Sequence, residues 1–257
     1  MAGIPAPQAS MSAGAAVDKI PTGIDGLDRM IGGLAKGESI LLIGDGGSGK
    51  TVFALQFAKS ACSSGLRTIF ITFGHGAREL RQLARAAGWD PAVFEQQRLL
   101  CMIEHSQIEA SRIELAGLKC PAPHKGNFTE LMRYATPGTE VLIMDRLDEY
   151  AKGLSPAEFR DGFEYFVRRL RERGITALML MDKAAPGVWK KLAMETLGGV
   201  IQFIRWENPR TGRGEMALDI VKMAGVQAPI GALAYDLSEG GFEVCRDKDR
   251  TYPNDSK

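Results

Sequence analysis

The densest group of residues able to do chemistry is residues 44–51, which read Gly-Asp-Gly-Gly-Ser-Gly-Lys-Thr. They satisfy the phosphate-loop (Walker A) pattern G-x-x-x-x-G-K-[ST]. In such a loop, glycines let successive backbone N–H groups surround phosphate oxygens, and the following helix N-terminus adds to the attraction. The Lys50 ammonium would reach the β- and γ-phosphates, and the Thr51 hydroxyl would coordinate Mg²⁺. We therefore predict a site for ATP or ADP with Mg²⁺, formed by Gly44, Gly46, Gly47, Ser48, Gly49, Lys50 and Thr51.

The segments on both sides of this phosphate loop are the ones that it requires. Ser39–Ile43 is an apolar run typical of a buried strand, and a helical pattern runs from Thr51 to Cys62. The alternative is a glycine-rich turn with a chance lysine. The complete strand–loop–helix context argues against that alternative.

A second apolar run ends in a carboxylate. Val141–Asp145 reads Val-Leu-Ile-Met-Asp, the arrangement called Walker B. Many buried strands end in aspartate, so this signal is weak alone and gains weight from the preceding phosphate loop. We predict that Asp145 holds Mg²⁺ through its water shell, beside Thr51.

Strands and helices alternate from Ser39 onward, which predicts an α/β fold. Near-continuous apolar strands favour a mostly parallel, twisted sheet with helices on both faces. Beyond Gly199 the pattern changes to short alternating strands, which predict an antiparallel C-terminal extension. The predicted strands are Ser39–Ile43, Thr68–Phe73, Leu99–Ile103, Val141–Met144, Thr176–Met181, Val200–Trp206, Met216–Lys222 and Ala232–Leu237. The predicted helices are Thr51–Cys62, Ala77–Ala87, Phe128–Tyr134 and Pro156–Arg173.

The composition favours one globular domain in the cytoplasm. The chain has 32 basic and 31 acidic residues and a net charge of +1, so no global field recruits nucleic acid or an anionic membrane. No apolar run approaches the ~20 residues of a membrane helix, and the N-terminus lacks the features of a signal peptide. We predict a single ATP-binding domain at residues 18–245, with a disordered tail at 1–17 and a flexible tail at 246–257.

Two Cys-x-x-x-His pairs raise the question of a metal site. They are Cys101 with His105 and Cys120 with His124. Two cysteines and two histidines could hold zinc in a tetrahedral site. Against this, Cys101 lies in an apolar run that reads as a buried strand, and free cysteine is commonly buried. The zinc site stays an open alternative, and ordinary core and loop positions are favoured.

The chain resembles KaiC-type and RadA-type members of the RecA superfamily. The resemblance covers roughly residues 20–245 and implies a RecA-type core that assembles into six-membered rings, with ATP between subunits. The matching segments are Ile20–Leu34, the phosphate loop, Thr68–Phe73, Ala86–Asp90, the Asp145 strand and Leu218–Gly225.

The chain departs from that family's pattern at three sites. KaiC-like ATPases carry two glutamates directly after the second strand, which polarise the attacking water, whereas this chain has Gly74 and His75. Family members also present a Lys-x-Arg pair to the neighbouring subunit's nucleotide. Here Lys222 is kept, but Ala224 stands in place of the arginine. At the end of the fifth strand, Leu180 and Met181 replace a polar residue.

These departures lead to three functional hypotheses. The favoured one is an ATP-binding scaffold or switch with weak or no hydrolysis, acting in a homo-oligomer on an unknown protein partner. The second is a slow ATPase that uses His75, or an acid from Asp148 or Glu149, as its base. The third is a DNA-binding recombinase paralogue, possible but not favoured. Its channel loop would be Lys183–Met194, with Lys183, Trp189, Lys190 and Lys191 as candidate contacts.

Overall fold

The computed structural model describes residues 18–105, 113–115, 118–120, 126–208, 213–226, 231–238 and 240–245. The predicted tails lie outside these residues. The helices are α1 (Asp25–Ile31), α2 (Lys50–Ser63), α3 (Ala77–Ala86), α4 (Pro91–Gln96), α5 (Phe128–Leu131), α6 (Leu147–Ala151), α7 (Pro156–Glu172) and α8 (Gly187–Thr196). The strands are β1 (Lys19–Ile20), β2 (Leu34–Ala35), β3 (Ser39–Gly44), β4 (Thr68–Thr72), β5 (Leu100–Glu104), β6 (Ile113–Leu115), β7 (Leu118–Cys120), β8 (Val141–Asp145), β9 (Thr176–Asp182), β10 (Gly199–Asn208), β11 (Arg213–Met223), β12 (Leu233–Ser238) and β13 (Gly241–Val244).

A nine-stranded mixed sheet forms the centre of the described part of the chain. Its strand order is β13-β12-β11-β10-β3-β9-β8-β4-β5. The six strands from β10 to β5 in this order run parallel to one another. Strands β11, β12 and β13 continue the sheet from β10 in antiparallel pairs. The α/β fold with an antiparallel C-terminal extension is thus confirmed.

Helices cover both faces of the sheet because successive strand side chains point to opposite sides. Ile40 and Leu42 of β3 belong to a core that includes residues of α1, α2 and α3. Leu41 and Ile43 belong to a second core that includes residues of α5, α6, α7 and α8. All four side chains are nearly fully buried. Burial on both faces explains the unbroken apolar runs of the central strands.

Helix α7 begins at a strong local signal. The Ser155 hydroxyl accepts a hydrogen bond from the Glu158 backbone N–H at 3.3 Å, and the Glu158 carboxylate accepts one from the Ser155 N–H at 2.8 Å. This capping box satisfies two donors at the helix start, and Pro156 fits the first turn.

Some element boundaries differ from the predictions. The predicted helix Phe128–Tyr134 ends at Leu131, because the next hydrogen bonds span three residues, as from the Tyr134 N–H to the Leu131 carbonyl. Strand β9 extends one residue beyond Met181, to Asp182. These two changes alter the length of elements but not their order.

The predicted channel loop Lys183–Met194 was wrong in its secondary structure. Most of it is α8, which starts at Gly187 and buries Trp189, Leu192 and Ala193. Trp189 is 7% exposed and stacks on Phe159, with ring centroids 5.4 Å apart. A burial pattern at helical spacing therefore explains residues that the sequence prediction placed in a loop.

In the described part of the chain, no helix combines the length and the apolar character needed to cross a membrane.

Candidate nucleotide-binding site

A cavity of about 370 Å³ lies at the carboxyl ends of the central parallel strands. This edge is where open α/β sheets form their ligand crevices. Residues from the phosphate loop line the cavity together with residues at or just after the carboxyl ends of β4, β8 and β9. The predicted residues found in its wall are Gly46, Gly47, Ser48, Gly49, Lys50, Thr51, His75 and Asp145. Gly44, the first residue of the phosphate loop, is also the last residue of β3.

Glycine is required where the phosphate loop enters α2. Gly49 precedes this helix with φ 87°, in the left-handed region. A Cβ at this position would also lie 2.9 Å from a methyl carbon of Leu237 in β12. Both the backbone conformation and the close neighbour exclude a larger residue.

The C-terminal antiparallel extension contacts the phosphate loop through a hydrogen bond to its backbone. The Tyr235 hydroxyl of β12 donates a hydrogen bond to the Ser48 carbonyl at 2.5 Å. The ring of Tyr235 stacks on Phe242 of β13, at 4.3 Å between centroids. Burial raises the pKa of the Tyr235 phenol to about 12, so it stays a neutral donor at physiological pH. The sequence prediction missed this residue, which lies far from the loop along the chain.

Lys50 folds back over its own loop. Its Nζ donates hydrogen bonds to the Gly44 carbonyl at 2.5 Å and to the Asp45 carbonyl at 2.7 Å. The nearest carboxylate is Asp182 at the end of β9, with Oδ2 4.0 Å from Nζ. Burial lowers the pKa of Lys50, while this and other nearby carboxylates oppose the change. Asp182 is a polar residue at the end of β9. The predicted strand stopped at Met181 and did not include it.

Thr51 and Asp145 meet in the cavity, as expected for a shared Mg²⁺ site. Thr51 Oγ1 lies 3.4 Å from Asp145 Oδ1. The other oxygen, Oδ2, is buried and accepts no hydrogen bond from the described residues. Burial raises the pKa of Asp145 to about 6, although His75, Arg146, Thr51 and Lys50 all favour its charged form. A buried carboxylate oxygen beside a hydroxyl suits a hard cation, so these residues fit Mg²⁺.

His75 reaches the same cavity from the end of β4. Its Nε2 lies 3.9 Å from Asp145 Oδ2, and its Nδ1 lies 3.4 Å from Glu79 Oε1. The Thr72 hydroxyl accepts a hydrogen bond from the His75 backbone N–H at 2.9 Å, which sets the turn after β4. The imidazole is therefore close to the predicted metal ligand.

The two other candidate bases have structural partners. Asp148 Oδ1 accepts a hydrogen bond from the Asp182 backbone N–H at 3.1 Å. Glu149 pairs with Arg146 at 3.2 Å and with Lys152 at 3.8 Å. The Asp148 contact holds the start of α6 against β9. Neither carboxylate belongs to the cavity wall.

Arg146 is a second cation of the cavity wall that the sequence prediction missed. It follows Asp145 and lies against Gly74, at the end of the neighbouring strand β4. Its position next to the Walker B carboxylate is visible in the sequence. Its approach to Gly74 is not, because it depends on the pairing of β4 with β8.

Lys222 lies outside the cavity formed by its own chain. It sits on β11 opposite Val200, and its Nζ donates to the Glu195 carbonyl at 3.4 Å. Ala224 follows β11, and its backbone N–H bonds to the Gly198 carbonyl at 2.9 Å. A contact between Lys222 and nucleotide would therefore require the site of a neighbouring subunit.

The possible zinc ligands are described only in part. Cys101 is a free thiol in β5, and burial raises its pKa to about 11. His105 Nδ1 lies 3.0 Å from the Tyr134 hydroxyl. His124 and the side chain of Cys120 lie outside the described residues. Within the described ranges, no three potential ligands cluster around a metal position.

Comparison with known proteins gives the family. Residues 20–249 match the family model described as "ATPase: KaiC". The chain belongs to this KaiC ATPase family. It is 29% identical over 255 residues to the circadian clock protein KaiC3 of Synechocystis sp., which covers 89% of the chain and 49% of that relative. It is 33% identical over 236 residues to the circadian clock oscillator protein KaiC of Prochlorococcus marinus, covering 89% and 46% respectively.

A solved structure supports the same fold. The KaiC-like protein of the archaeon Pyrococcus horikoshii OT3 matches with a TM-score of 0.73 and 25% identity, over 89% of this chain and 99% of that one. The chain spans about half the length of each of the two KaiC relatives above. The predicted resemblance to KaiC-like proteins is thus confirmed, and family membership supports ATP binding.

Proposed function

We propose that this chain is an ATP-binding KaiC-like protein that acts as a nucleotide-dependent scaffold or switch, with weak or no ATP hydrolysis. One observation carries the proposal. Lys50, Thr51 and Asp145 lie together in the cavity, whereas Gly74 and Arg146 meet at the end of β4. That end of β4 is where the family resemblance places a glutamate that polarises water. Groups suited to binding are present, and a cation stands in place of the base.

The expected loss of rate is large. A positioned general base contributes roughly 10²–10⁴ to a rate, and an arginine finger contributes roughly 10³–10⁵. Such factors do not simply multiply, because groups that act as a unit are not additive. Loss of either group would nevertheless reduce turnover severely. Ala224 stands where the finger would be, and Gly74 stands where the first glutamate would be.

A nucleotide that is bound but not hydrolysed can still act as a signal. A ligand shifts an equilibrium between two states by its difference in affinity for them. ATP at a boundary between subunits would favour the assembled form, and a partner protein could bind that form selectively. Bound Mg²⁺ would neutralise phosphate charge beside Thr51 and Asp145.

Turnover and nucleotide affinity measured on one preparation test the proposal. At a hundredfold excess over Kd, Mg-ATP should add about 2.7 kcal/mol to the free energy of unfolding. This corresponds to roughly 5–10 °C in melting temperature for a chain of this size. Lys50→Ala should remove that shift, whereas Lys152→Ala, an exposed lysine outside the cavity, should keep it.

Turnover should stay far below the ~1 s⁻¹ low end of ordinary enzymes. Binding together with slow turnover would support the proposal. A wild-type protein that shows no shift with millimolar ATP or ADP would contradict nucleotide binding, and brisk hydrolysis would contradict the scaffold.

The slow ATPase is the second candidate, and the position of His75 favours it over other enzymatic alternatives. Its imidazole is on the cavity wall, 3.9 Å from Asp145. If His75 is a working base, His75→Ala should abolish turnover without weakening ATP binding. We expect the residual rate to be almost unchanged instead. The DNA-binding alternative loses support because Trp189 is stacked in the core and is not exposed for base stacking.

A further inference from the structure

Arg146 has a backbone conformation that arginine rarely adopts. Its φ of 62° and ψ of 55° lie in the left-handed region, which a side chain disfavours. The residue stands between β8 and α6, and its side chain makes no capping hydrogen bond to that helix. Unfavourable backbone of this kind persists where the surrounding structure holds it, often at functional sites.

Gly74 provides the space that the Arg146 side chain occupies. A Cβ built on Gly74 would overlap Cδ of Arg146 and would lie 2.9 Å from both Nε and Nη1. Any larger residue at position 74 would therefore displace the arginine. Residues 74 and 146 follow the paired ends of β4 and β8, where Thr72 is in register with Asp145. The Arg146 side chain therefore depends on the residue that follows the neighbouring strand β4.

Arg146 is one of the residues that line the cavity, together with Lys50 and Asp145. Its ion-pair partner is Glu149, which accepts from Nη2 at 3.2 Å. The two side chains are 41% and 30% exposed, and solvent-exposed pairs of this kind are weak. A guanidinium has five N–H donors, of which this bond uses one.

Arg146 lies in the same cavity wall as the residues that would hold the terminal phosphates of a nucleotide. In a phosphate-loop site, the lysine at the Lys50 position reaches the β- and γ-phosphates. Thr51 and Asp145 would hold the Mg²⁺, which would neutralise phosphate charge at the same end of the nucleotide. Arg146 directly follows Asp145 and faces the same cavity. Arginine binds phosphate oxygens through paired, charge-assisted hydrogen bonds.

We propose that Arg146 contacts the γ-phosphate from within the same chain and makes the cavity prefer a nucleoside triphosphate to a diphosphate. The inference rests on the proposed ATP binding and names the residue that recognises the third phosphate. Glycine at position 74 then contributes to binding, because it leaves space for the Arg146 side chain. Arg146 is a binding residue here, and the preference it confers is what a scaffold that distinguishes ATP from ADP requires.

Calorimetric dissociation constants for Mg-ADP and for a non-hydrolysable Mg-triphosphate analogue test this role. Arg146→Gly removes the guanidinium and suits the left-handed backbone. It should weaken analogue binding by about 10-fold or more and change ADP binding less than about 2-fold. The matched control is Arg98→Gly, since Arg98 also has a positive φ, of 58°, and is exposed outside the cavity. It should change neither constant.

A second pair of variants tests whether Gly74 provides the space for the Arg146 side chain. Gly74→Ala should displace Arg146 and reduce the triphosphate preference in the same way. Gly76→Ala should not, because a Cβ there meets its nearest atom at an ordinary 3.5 Å. In a double-mutant cycle, Gly74→Ala should have little further effect once Arg146→Gly is present. Should Gly74→Ala fail to fold, Arg146→Gly alone decides.

The possible failures are distinguishable. Equal weakening of ADP and analogue binding in Arg146→Gly would overturn the proposal, because a γ-phosphate contact cannot act on ADP. An analogue affinity that does not change in Arg146→Gly would overturn it as well. A wild-type chain that binds both nucleotides equally would contradict only the role of Arg146. A wild-type chain that binds neither would contradict the proposed function itself.

Discussion

Asp145 combines two properties that conflict in the absence of a ligand. It is 2% exposed, and its Oδ2 accepts no hydrogen bond from any described residue. Burying a carboxylate without full compensation disfavours its charged form, which is why its pKa is raised to about 6. A site organised for a cation thus lowers the stability of the ligand-free protein at neutral pH.

Replacing Asp145 with asparagine should increase the free energy of unfolding of the ligand-free protein at neutral pH. Between about pH 4 and 6, Asp145 is protonated in the folded protein but ionised in the unfolded chain, because its pKa is raised to about 6 in the folded state. This protonation stabilises the folded state fully below about pH 4, and the stabilisation is lost as pH rises through about 6. In buffer free of Mg²⁺ and nucleotide, Asp145→Asn should therefore be more stable than wild type by about 2–3 kcal/mol at pH 7.5, and the gain should vanish near pH 4.

Urea denaturation across this pH range measures the effect. Asp161→Asn, a change of an exposed carboxylate on α7, is the control and should show no comparable gain. A variant at Asp145 that is less stable than wild type at pH 7.5 would show that the carboxylate is better satisfied than its surroundings indicate. The same variant should lose the Mg²⁺-dependent part of ATP binding.

Strand β12 contacts the phosphate loop directly, although it is far from the loop in sequence. Tyr235 bonds the loop backbone at Ser48, and Leu237 packs against Gly49. Strand β12 pairs with β11, which also carries Lys222. The antiparallel extension therefore contacts the loop directly and joins it to the strand that would approach a neighbouring subunit.

Removing the Tyr235 hydroxyl should loosen the loop without opening a cavity. Tyr235→Phe deletes the hydrogen bond to the Ser48 carbonyl and keeps the ring that stacks on Phe242. We expect a loss of about 1 kcal/mol of stability and a several-fold weaker affinity for ATP, measured by thermal unfolding and calorimetry. Tyr165→Phe on α7 is the matched control and should leave affinity unchanged. Equal affinity in wild type and Tyr235→Phe would mean that ATP binding does not depend on this bond.

Restoring ATP hydrolysis requires changes just after three strands, β4, β8 and β11. A glutamate introduced at Gly74 would clash with the Arg146 side chain, so Gly74→Glu is combined with a smaller residue at position 146. Combining Gly74→Glu, His75→Glu and Ala224→Arg with Arg146→Ser should raise ATP turnover by at least about 10-fold, a cautious fraction of the rate a base and a finger provide. The same set without Arg146→Ser is the control and should gain less. A steady-state rate that does not rise in the full set would argue that other features limit hydrolysis.

At the scale of the whole molecule, the position of Lys222 bears on assembly. Lys222 is outside its own cavity, and the family resemblance places ATP between subunits. An interface that joins unlike surfaces closes into a ring only at a fixed rotation. We propose a hexameric ring in which Lys222 of one subunit approaches the nucleotide of the next.

A non-hydrolysable triphosphate should drive assembly more strongly than ADP. Light scattering coupled to size exclusion should show higher oligomers, up to hexamers, with the analogue and Mg²⁺. Lys222→Ala should weaken this response. Lys191→Ala, a change of a 77%-exposed lysine on α8, should not. A monomer that is unchanged by every nucleotide would remove the ring but leave the ATP site intact.

The sequence alone determined the parts of this protein that depend on local patterns. A strand–glycine loop–helix unit and an apolar strand ending in Asp145 each have a signature within a short segment. Because parallel strands end at one edge of the sheet, the meeting of Thr51 and Asp145 was also predictable. The antiparallel extension was predictable from the change to alternating strands after Gly199.

Tertiary structure decided the groups whose roles depend on which strands are neighbours. Gly74 appeared in the sequence only as a missing glutamate, and the pairing of β4 with β8 shows it as the seat of Arg146. Tyr235 reaches Ser48 across 187 positions of chain, and no local pattern encodes such a contact. The DNA-binding alternative placed Trp189 in a channel loop, yet its ring packs on Phe159. Packing between distant segments, rather than local propensity, places these side chains.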